Sequence, residues 1–146
     1  MLLKFTVPLP PSSNHRLMAT KNGLIKAPQY RRWMDSTAED LIASFEECPP
    51  RLEGKLMLYV EVVFPDRRKR DIDNVLKSLC DVLTKAGVYK DDSQLDVITV
   101  RRCEVQKPGE LRCALWCIDD YNPFTNWSIN GHQNPSKIAR DCANSQ

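Results

Sequence analysis

The residues with the clearest chemical potential are two groups of aspartates at either end of one helical pattern. Asp71 and Asp73 open the pattern, and Asp91 and Asp92 follow its end. On a continuous helix Asp71 and Asp73 would point about 200° apart. If Asp71 is the N-cap and Asp73 lies in the first turn, both carboxylates approach one point ahead of the helix. Lys77 is four residues after Asp73 and reaches the same point, to which a strand returning after the helix would bring a third carboxylate from Asp91 or Asp92.

A basic run directly precedes these acids and suggests what they do. It consists of Arg67, Arg68, Lys69 and Arg70. Carboxylates repel phosphate unless a divalent cation reverses their local sign, and Mg²⁺ takes a few carboxylate oxygens while leaving positions for water and phosphate. We therefore expect Asp71, Asp73 and a third carboxylate to hold Mg²⁺, for which Mn²⁺ would substitute.

Each acid also has a purely structural interpretation. Asp71 alone is an N-cap, and Asp73 with Lys77 is an exposed pair worth a few tenths of a kcal/mol. Asp91 with Asp92 is a turn. The D-x-D spacing also occurs in haloacid-dehalogenase-type phosphatases, where a buried strand precedes it, and in nucleotide-sugar transferases, which need a larger domain. Neither context is present here.

The charge distribution favours a polyanionic partner. Residues 1–34 contain six basic side chains and no acidic one, so residues 35–146 must sum to −4 because the whole chain carries +2. A local positive potential attracts nucleic acid, although a solvated basic face has the same composition. We expect Arg16 and Lys21 to contact DNA together with residues 67–70.

Hydrophobic periodicity predicts the elements that position these side chains. Strand 55–64 is apolar on both faces, which is typical of a central strand. The predicted fold is α/β (α+β), a mixed sheet of about four strands packed with two main helices. The strands are 2–7, 55–64, 95–104 and 111–118, the helices are 29–47 and 71–86, a loop covers 8–28, and a β-hairpin joins the last two strands.

Other features of the sequence indicate where the protein works, how its cysteines are used and where its domain ends. No segment has the roughly 20 apolar residues that span a bilayer, and the N-terminus lacks a signal-peptide pattern, so we expect a cytoplasmic protein without membrane contact. Cys103, Cys113 and Cys117 are expected as buried thiols, with a zinc site across the predicted hairpin as the alternative. Residues 1–118 would form one domain, and residues 119–146 a poorly ordered extension.

Three motifs together resemble the RusA family of Holliday junction resolvases over roughly residues 3–118. The first is Pro10-Pro11-Ser12-Ser13-Asn14, and the second is residues 65–74 followed by Lys77. The third is residues 81–87 followed by Asp91-Asp92-Ser93-Gln94.

The resemblance implies a small homodimer that binds four-way DNA junctions and makes paired symmetric nicks with Mg²⁺ in recombination and repair. It matches Asp71, Asp73 and Asp92 to acidic metal-binding and catalytic positions, Lys77 to an essential lysine and Arg70 to a basic residue needed for activity. It also adds Asn14 to the expected DNA contacts. The extension 119–146 has no counterpart. A non-catalytic branched-DNA-binding module and a nuclease of broader branched-DNA specificity remain the alternatives.

Overall fold

The computed structural model describes residues 2–12, 16–45 and 49–118. These residues form a mixed four-stranded sheet, a separate two-stranded hairpin and two α-helices, so the predicted fold class is confirmed. The elements are β1 (Leu2–Pro8), β2 (Leu17–Thr20), β3 (Gly23–Lys26), α1 (Pro28–Ala43), β4 (Leu56–Val63), α2 (Leu76–Lys85), β5 (Leu95–Arg102) and β6 (Glu110–Cys117). None of the described helices is long and apolar enough to cross a bilayer.

Strand β4 is central, as its two apolar faces predict. The order in the sheet is β1-β6-β4-β5, with β4 parallel to β5 and antiparallel to β6. Side chains on both faces of β4 are buried, among them Leu58 and Val63. The helix α2 packs Leu79 and Leu83 into the same core, so its buried stripe fixes the helix against the sheet.

The predicted hairpin of the last two strands is wrong. Strand β4 lies between β5 and β6, which do not pair with each other. The segment 103–109 crosses the end of β4, where Cys103 N donates to Val62 O at 2.9 Å and Gln106 N donates to Phe64 O at 2.9 Å. Because both faces of β4 are apolar, the strand is buried in the middle of the sheet, where β5 pairs with one of its edges and β6 with the other. The zinc alternative loses the hairpin it depended on, and burial raises the pKa of the Cys113 thiol to about 12.

Three other boundaries differ from the prediction. The expected loop 8–28 contains the hairpin of β2 and β3, whose turn includes Gly23 at a positive φ of 115°. The second helix starts late, because a 3-10 turn, Ile72–Val75, precedes α2. The first helix ends at Ala43 with Ser44 as its C-cap, short of the predicted end at 47. The residue Asn14 and the extension 119–146 lie outside the described residues.

Candidate active site

Two short 3-10 turns flank α2 and carry the aspartates singled out by the sequence. The turn Ile72–Val75 contacts α2 and β5, and the turn Asp92–Gln94 contacts α2. The chain enters α2 through the first turn and returns to β5 through the second. This path brings acidic residues that are distant in sequence to one helix.

Lys77 joins the helix to the second turn. Its Nζ lies 3.1 Å from Asp81 Oδ1 and 3.3 Å from Asp92 Oδ2. The hydrogen bonds with Asp81 and then Asp92 raise the pKa of Lys77 above its ordinary value. The ammonium group therefore stays charged at neutral pH, and it brings α2 into contact with Asp92 of the second turn.

Asp71 and Asp73 are exposed and make no hydrogen bond or ion pair with other described residues. Asp71 occupies the N-cap position of the first turn, as predicted, with extended backbone angles (φ −81°, ψ 135°), but its side chain makes no capping hydrogen bond. Lys77 pairs with Asp81 rather than with Asp73. The structural roles considered for these two acids therefore leave both carboxylates available to a ligand.

Asp91 and Asp92 have different tasks. Asp91 forms a capping box, since its Oδ1 accepts from Ser93 N at 2.9 Å and Gln94 Oε1 accepts from Asp91 N at 3.2 Å. The hydrogen bonds from Ser93 lower the pKa of Asp91. Gln94 Nε2 also donates to Leu52 O at 3.1 Å, which ties the turn to the chain before β4. Asp91 thus shapes the turn, while Asp92 faces Lys77.

Within the described ranges, no three His, Cys, Asp or Glu side chains lie close enough together to hold a metal ion. The convergence of Asp71, Asp73 and Asp92 on one point therefore stays a prediction. The donor set itself fits Mg²⁺, because this ion needs only one or two carboxylates and fills its other positions with water and substrate phosphate. Asp71 and Asp73 are oxygen donors of this kind.

Arg70 is held in place by three groups. Asp66 accepts two bonds from its guanidinium, at 2.5 and 3.0 Å, and a third from Arg68 N at 3.0 Å. These contacts hold the pKa of Asp66 well below its usual range. Arg70 also lies over the ring of Phe64 at 5.4 Å. Arg102 lies over the same ring at 4.9 Å and donates to the backbone carbonyl of Arg70.

The carbonyl held by Arg102 belongs to the peptide bond that leads into Asp71. Arg102 thus fixes the backbone from which Asp71 extends. In contrast to Arg70, the other members of the basic run, Arg67, Arg68 and Lys69, are exposed. Sequence reasoning missed both Asp66 and Arg102, and no local signal connects Arg102 on β5 with the start of α2.

Asp81 is a further residue that sequence reasoning did not place in the site. Its carboxylate accepts from Tyr30 Oη at 3.2 Å and lies 3.7 Å from an Arg16 guanidinium nitrogen as well as contacting Lys77. Burial raises the pKa of Tyr30, so its hydroxyl remains a donor. The spacing Asp73, Lys77, Asp81 repeats every four residues and would have predicted this position.

The residues that we expect to contact DNA differ in whether the protein already binds their charged groups. Arg16 is engaged with the protein, since its guanidinium lies over the Tyr30 ring at 5.5 Å and beside Asp81. Lys21 is exposed at the turn of the β2–β3 hairpin. The basic surface available to a polyanion is therefore the run 67–69 and the hairpin rather than Arg16.

Unengaged carboxylates that follow a run of exposed cations can hold a divalent metal next to a bound phosphate, which is an arrangement that metal-dependent phosphodiesterases use. A comparison with known protein families identifies one group of such enzymes that the chain resembles. The family model described as endodeoxyribonuclease RusA matches residues 8–111. The chain belongs to this family, as the sequence motifs predicted.

Relatives in three organisms carry the name crossover junction endodeoxyribonuclease RusA. The protein of Aquifex aeolicus is 36% identical over 105 residues, which cover 70% of this chain and 82% of the relative. The protein of Enterobacteria phage 82 is 31% identical over 110 residues, covering 75% of this chain and 90% of the relative. The protein of Escherichia coli strain K12 is 30% identical with the same coverage.

Proposed function

We propose that this chain is a crossover junction endodeoxyribonuclease, which resolves four-way DNA junctions by paired symmetric nicks during recombination and repair. The proposal extends to this chain the activity for which its relatives are named. The observation that carries it is the contact between Lys77 and Asp92, which joins the two halves of the acidic motif. The exposed, unengaged carboxylates of Asp71 and Asp73 support it further.

Nucleases of this kind depend on a divalent metal, and we propose Mg²⁺, with Mn²⁺ as a substitute. Asp71, Asp73 and Asp92 would hold it. When bound, Mg²⁺ would activate a water and offset the repulsion between carboxylates and phosphate. Lys77, which stays protonated, stabilises the negative charge that builds on the phosphate oxygens as the new bond forms.

The remaining residues of the site position these groups. Asp81 contacts the Lys77 ammonium as Asp92 does, so that two carboxylates together hold it in place. Asp66 and Phe64 hold Arg70, which binds the phosphate backbone next to the acids. Attack of water on phosphorus with departure of the 3′ oxygen leaves a 5′-phosphate and a 3′-hydroxyl.

We further propose a homodimer in the cytoplasm. A two-fold dimer matches the near two-fold symmetry of a four-way junction, so that two sites cut opposing strands before the junction dissociates. The described cysteines Cys80, Cys103, Cys113 and Cys117 are free thiols, which fits a reducing compartment.

A direct test incubates the purified chain with a synthetic four-way junction and with a linear duplex of matched sequence, each in Mg²⁺ or EDTA. The proposal predicts paired nicks in the junction with Mg²⁺ only, and little cutting of the duplex. Equal cutting of flaps, forks and junctions would support a broader branched-DNA nuclease instead. Tight binding without cutting in either Mg²⁺ or Mn²⁺ would indicate a non-catalytic binding module.

A further inference from the structure

The hairpin of β2 and β3 exposes apolar side chains that the cutting reaction does not use. Every residue from 17 to 26 is exposed, and the two strands pair only with each other. The exposed fractions of its large apolar side chains are 53% for Leu17, 43% for Met18, 70% for Leu24 and 41% for Ile25. Single exposed apolar residues are ordinary, but four on one short hairpin mark an interaction surface.

These apolar side chains lie on both faces of the hairpin. Met18 pairs with Ile25, and Ala19 pairs with Leu24. Because neighbouring residues of a strand point to opposite faces, Met18 and Ile25 share one face while Leu17 and Leu24 share the other. A hairpin lying flat on a protein surface would have one apolar and one polar face. This hairpin instead fits a partner that contacts it on both sides.

The charges around the hairpin indicate the chemistry of that partner. Between residues 16 and 34 the chain has no acidic residue. Its exposed basic residues here are Lys21, Lys26, Arg31 and Arg32. Apolar side chains framed by cations complement nucleic acid, whose bases offer apolar faces and whose backbone is negative.

The base of the hairpin adjoins the proposed catalytic residues. Ala27 N donates to Arg16 O at 2.8 Å, which closes the hairpin at its root. Arg16 in turn lies 3.7 Å from Asp81, whose other oxygen contacts Lys77. The root of the hairpin is therefore linked to Lys77 through Arg16 and Asp81.

We propose that the β2–β3 hairpin enters the open centre of branched DNA. There its apolar side chains contact the exposed faces of base pairs next to the branch point, and Lys21 and Lys26 contact converging phosphates. Stacking is already interrupted at a branch point, so an apolar wedge displaces less there than within a continuous duplex. The inference rests on the proposed junction substrate and identifies the element that recognises its shape.

The test uses a four-way junction that carries 2-aminopurine either at the branch point or within one arm. Binding is measured in Ca²⁺ with the full chain, with the double variant Met18→Thr/Leu24→Thr, which changes one side chain on each face, and with Ile98→Thr. Ile98 is a matched control, because it is a 40% exposed strand residue outside the hairpin.

We expect the unchanged chain and Ile98→Thr to raise the fluorescence of the branch-point probe but not of the arm probe. The double variant should lose this signal, and its preference for junction over linear duplex should fall about tenfold. A double variant that keeps both would overturn the inference. So would a variant that turns a dimer into a monomer in light scattering, since the patch would then be a protein interface. An unchanged chain that prefers no junction would contradict the proposed function itself.

Discussion

The acidic side chains around α2 lie in two regions, which differ in whether their carboxylates bond to other residues of the protein. On the helix and the turn after it, Asp81 and Asp91 are bonded to Tyr30, Lys77 and Ser93. On the turn before the helix, Asp71 and Asp73 have no such partners among the described residues. An engaged carboxylate stabilises the protein, whereas an exposed unengaged one gains most from an external cation. The contrast separates Asp81 and Asp91, which shape the site, from Asp71 and Asp73, which we propose act in it.

Among the residues that contact the engaged acids, Lys77 is expected to give the largest effect when it is changed. Lys77→Met removes the charge that we propose stabilises the transition state, and we expect cleavage to fall by about 10²–10³-fold. Because the pKa of Lys77 is raised, the unchanged chain should show no loss of activity from this group at mildly alkaline pH.

The matched control is Lys85→Met on the same helix, where Lys85 pairs with the exposed Asp35. Single-turnover cleavage of a junction measures both variants. If Lys85→Met slowed cleavage as much as Lys77→Met, the effect would be one of general charge, and the assigned role of Lys77 would be wrong.

Asp81→Asn tests the engaged region itself. It weakens contacts with Lys77, Tyr30 and Arg16 at once, so we expect the free energy of unfolding to fall by about 1–3 kcal/mol. Cleavage should fall less than in the Lys77 variant. Urea unfolding gives the first quantity, with Asp35→Asn as the control, since an exposed pair contributes about 0–1 kcal/mol. Equal losses in the two variants would show that the network around Asp81 is no stronger than a surface pair.

Arg102→Ala tests whether the backbone entering Asp71 must be held. Loss of the bond to the Arg70 carbonyl and of the Phe64 contact should lower the free energy of unfolding by about 1 kcal/mol. It should also slow cleavage more than it weakens DNA binding. Arg101→Ala removes a neighbouring charge that lies 3.6 Å from Glu61, and it serves as the control. A parallel loss of binding in both variants would instead make Arg102 an ordinary phosphate contact.

The smallest effect is expected beyond the family match, which ends at residue 111. A chain that stops after Asp120 should keep its fold and its cleavage rate. Circular dichroism and junction cutting by the shortened protein test this directly. Aggregation or loss of cutting would place part of 119–146 within the functional domain.

Much of the fold follows from apolar patterning, and the exceptions have physical reasons. Two apolar faces predicted the central position of β4. The pairing of β5 and β6 was mispredicted because a strand pattern does not specify which neighbour a strand takes. The hairpin of β2 and β3 was missed because its short strands bury no face. Its one signal is the Asn22-Gly23 pair, which is typical of tight turns between strands.

The site was predictable where residues are close in sequence. The four-residue spacing on α2 identified Lys77, and the same spacing extends to Asp81. The different tasks of Asp91 and Asp92 depend on which side chain bonds Ser93 N, which spacing alone does not reveal. The contacts among Phe64, Arg70 and Arg102 join β5 to the loop after β4, so they arise only from tertiary packing.

The central claim is that an unengaged carboxylate before α2 acts in the chemistry rather than in the fold. It is tested most directly by comparing Asp73→Asn with Asp91→Asn in junction cleavage with Mg²⁺ and in junction binding with Ca²⁺. Asn keeps the size of both side chains and still caps a turn, at a cost to Asp73 of about 0.3–1 kcal/mol. We predict that Asp73→Asn stays folded, binds the junction at least as tightly and no longer cuts it, while Asp91→Asn cuts at nearly the normal rate. A folded Asp73→Asn protein that still nicks the junction at a substantial rate would contradict the account.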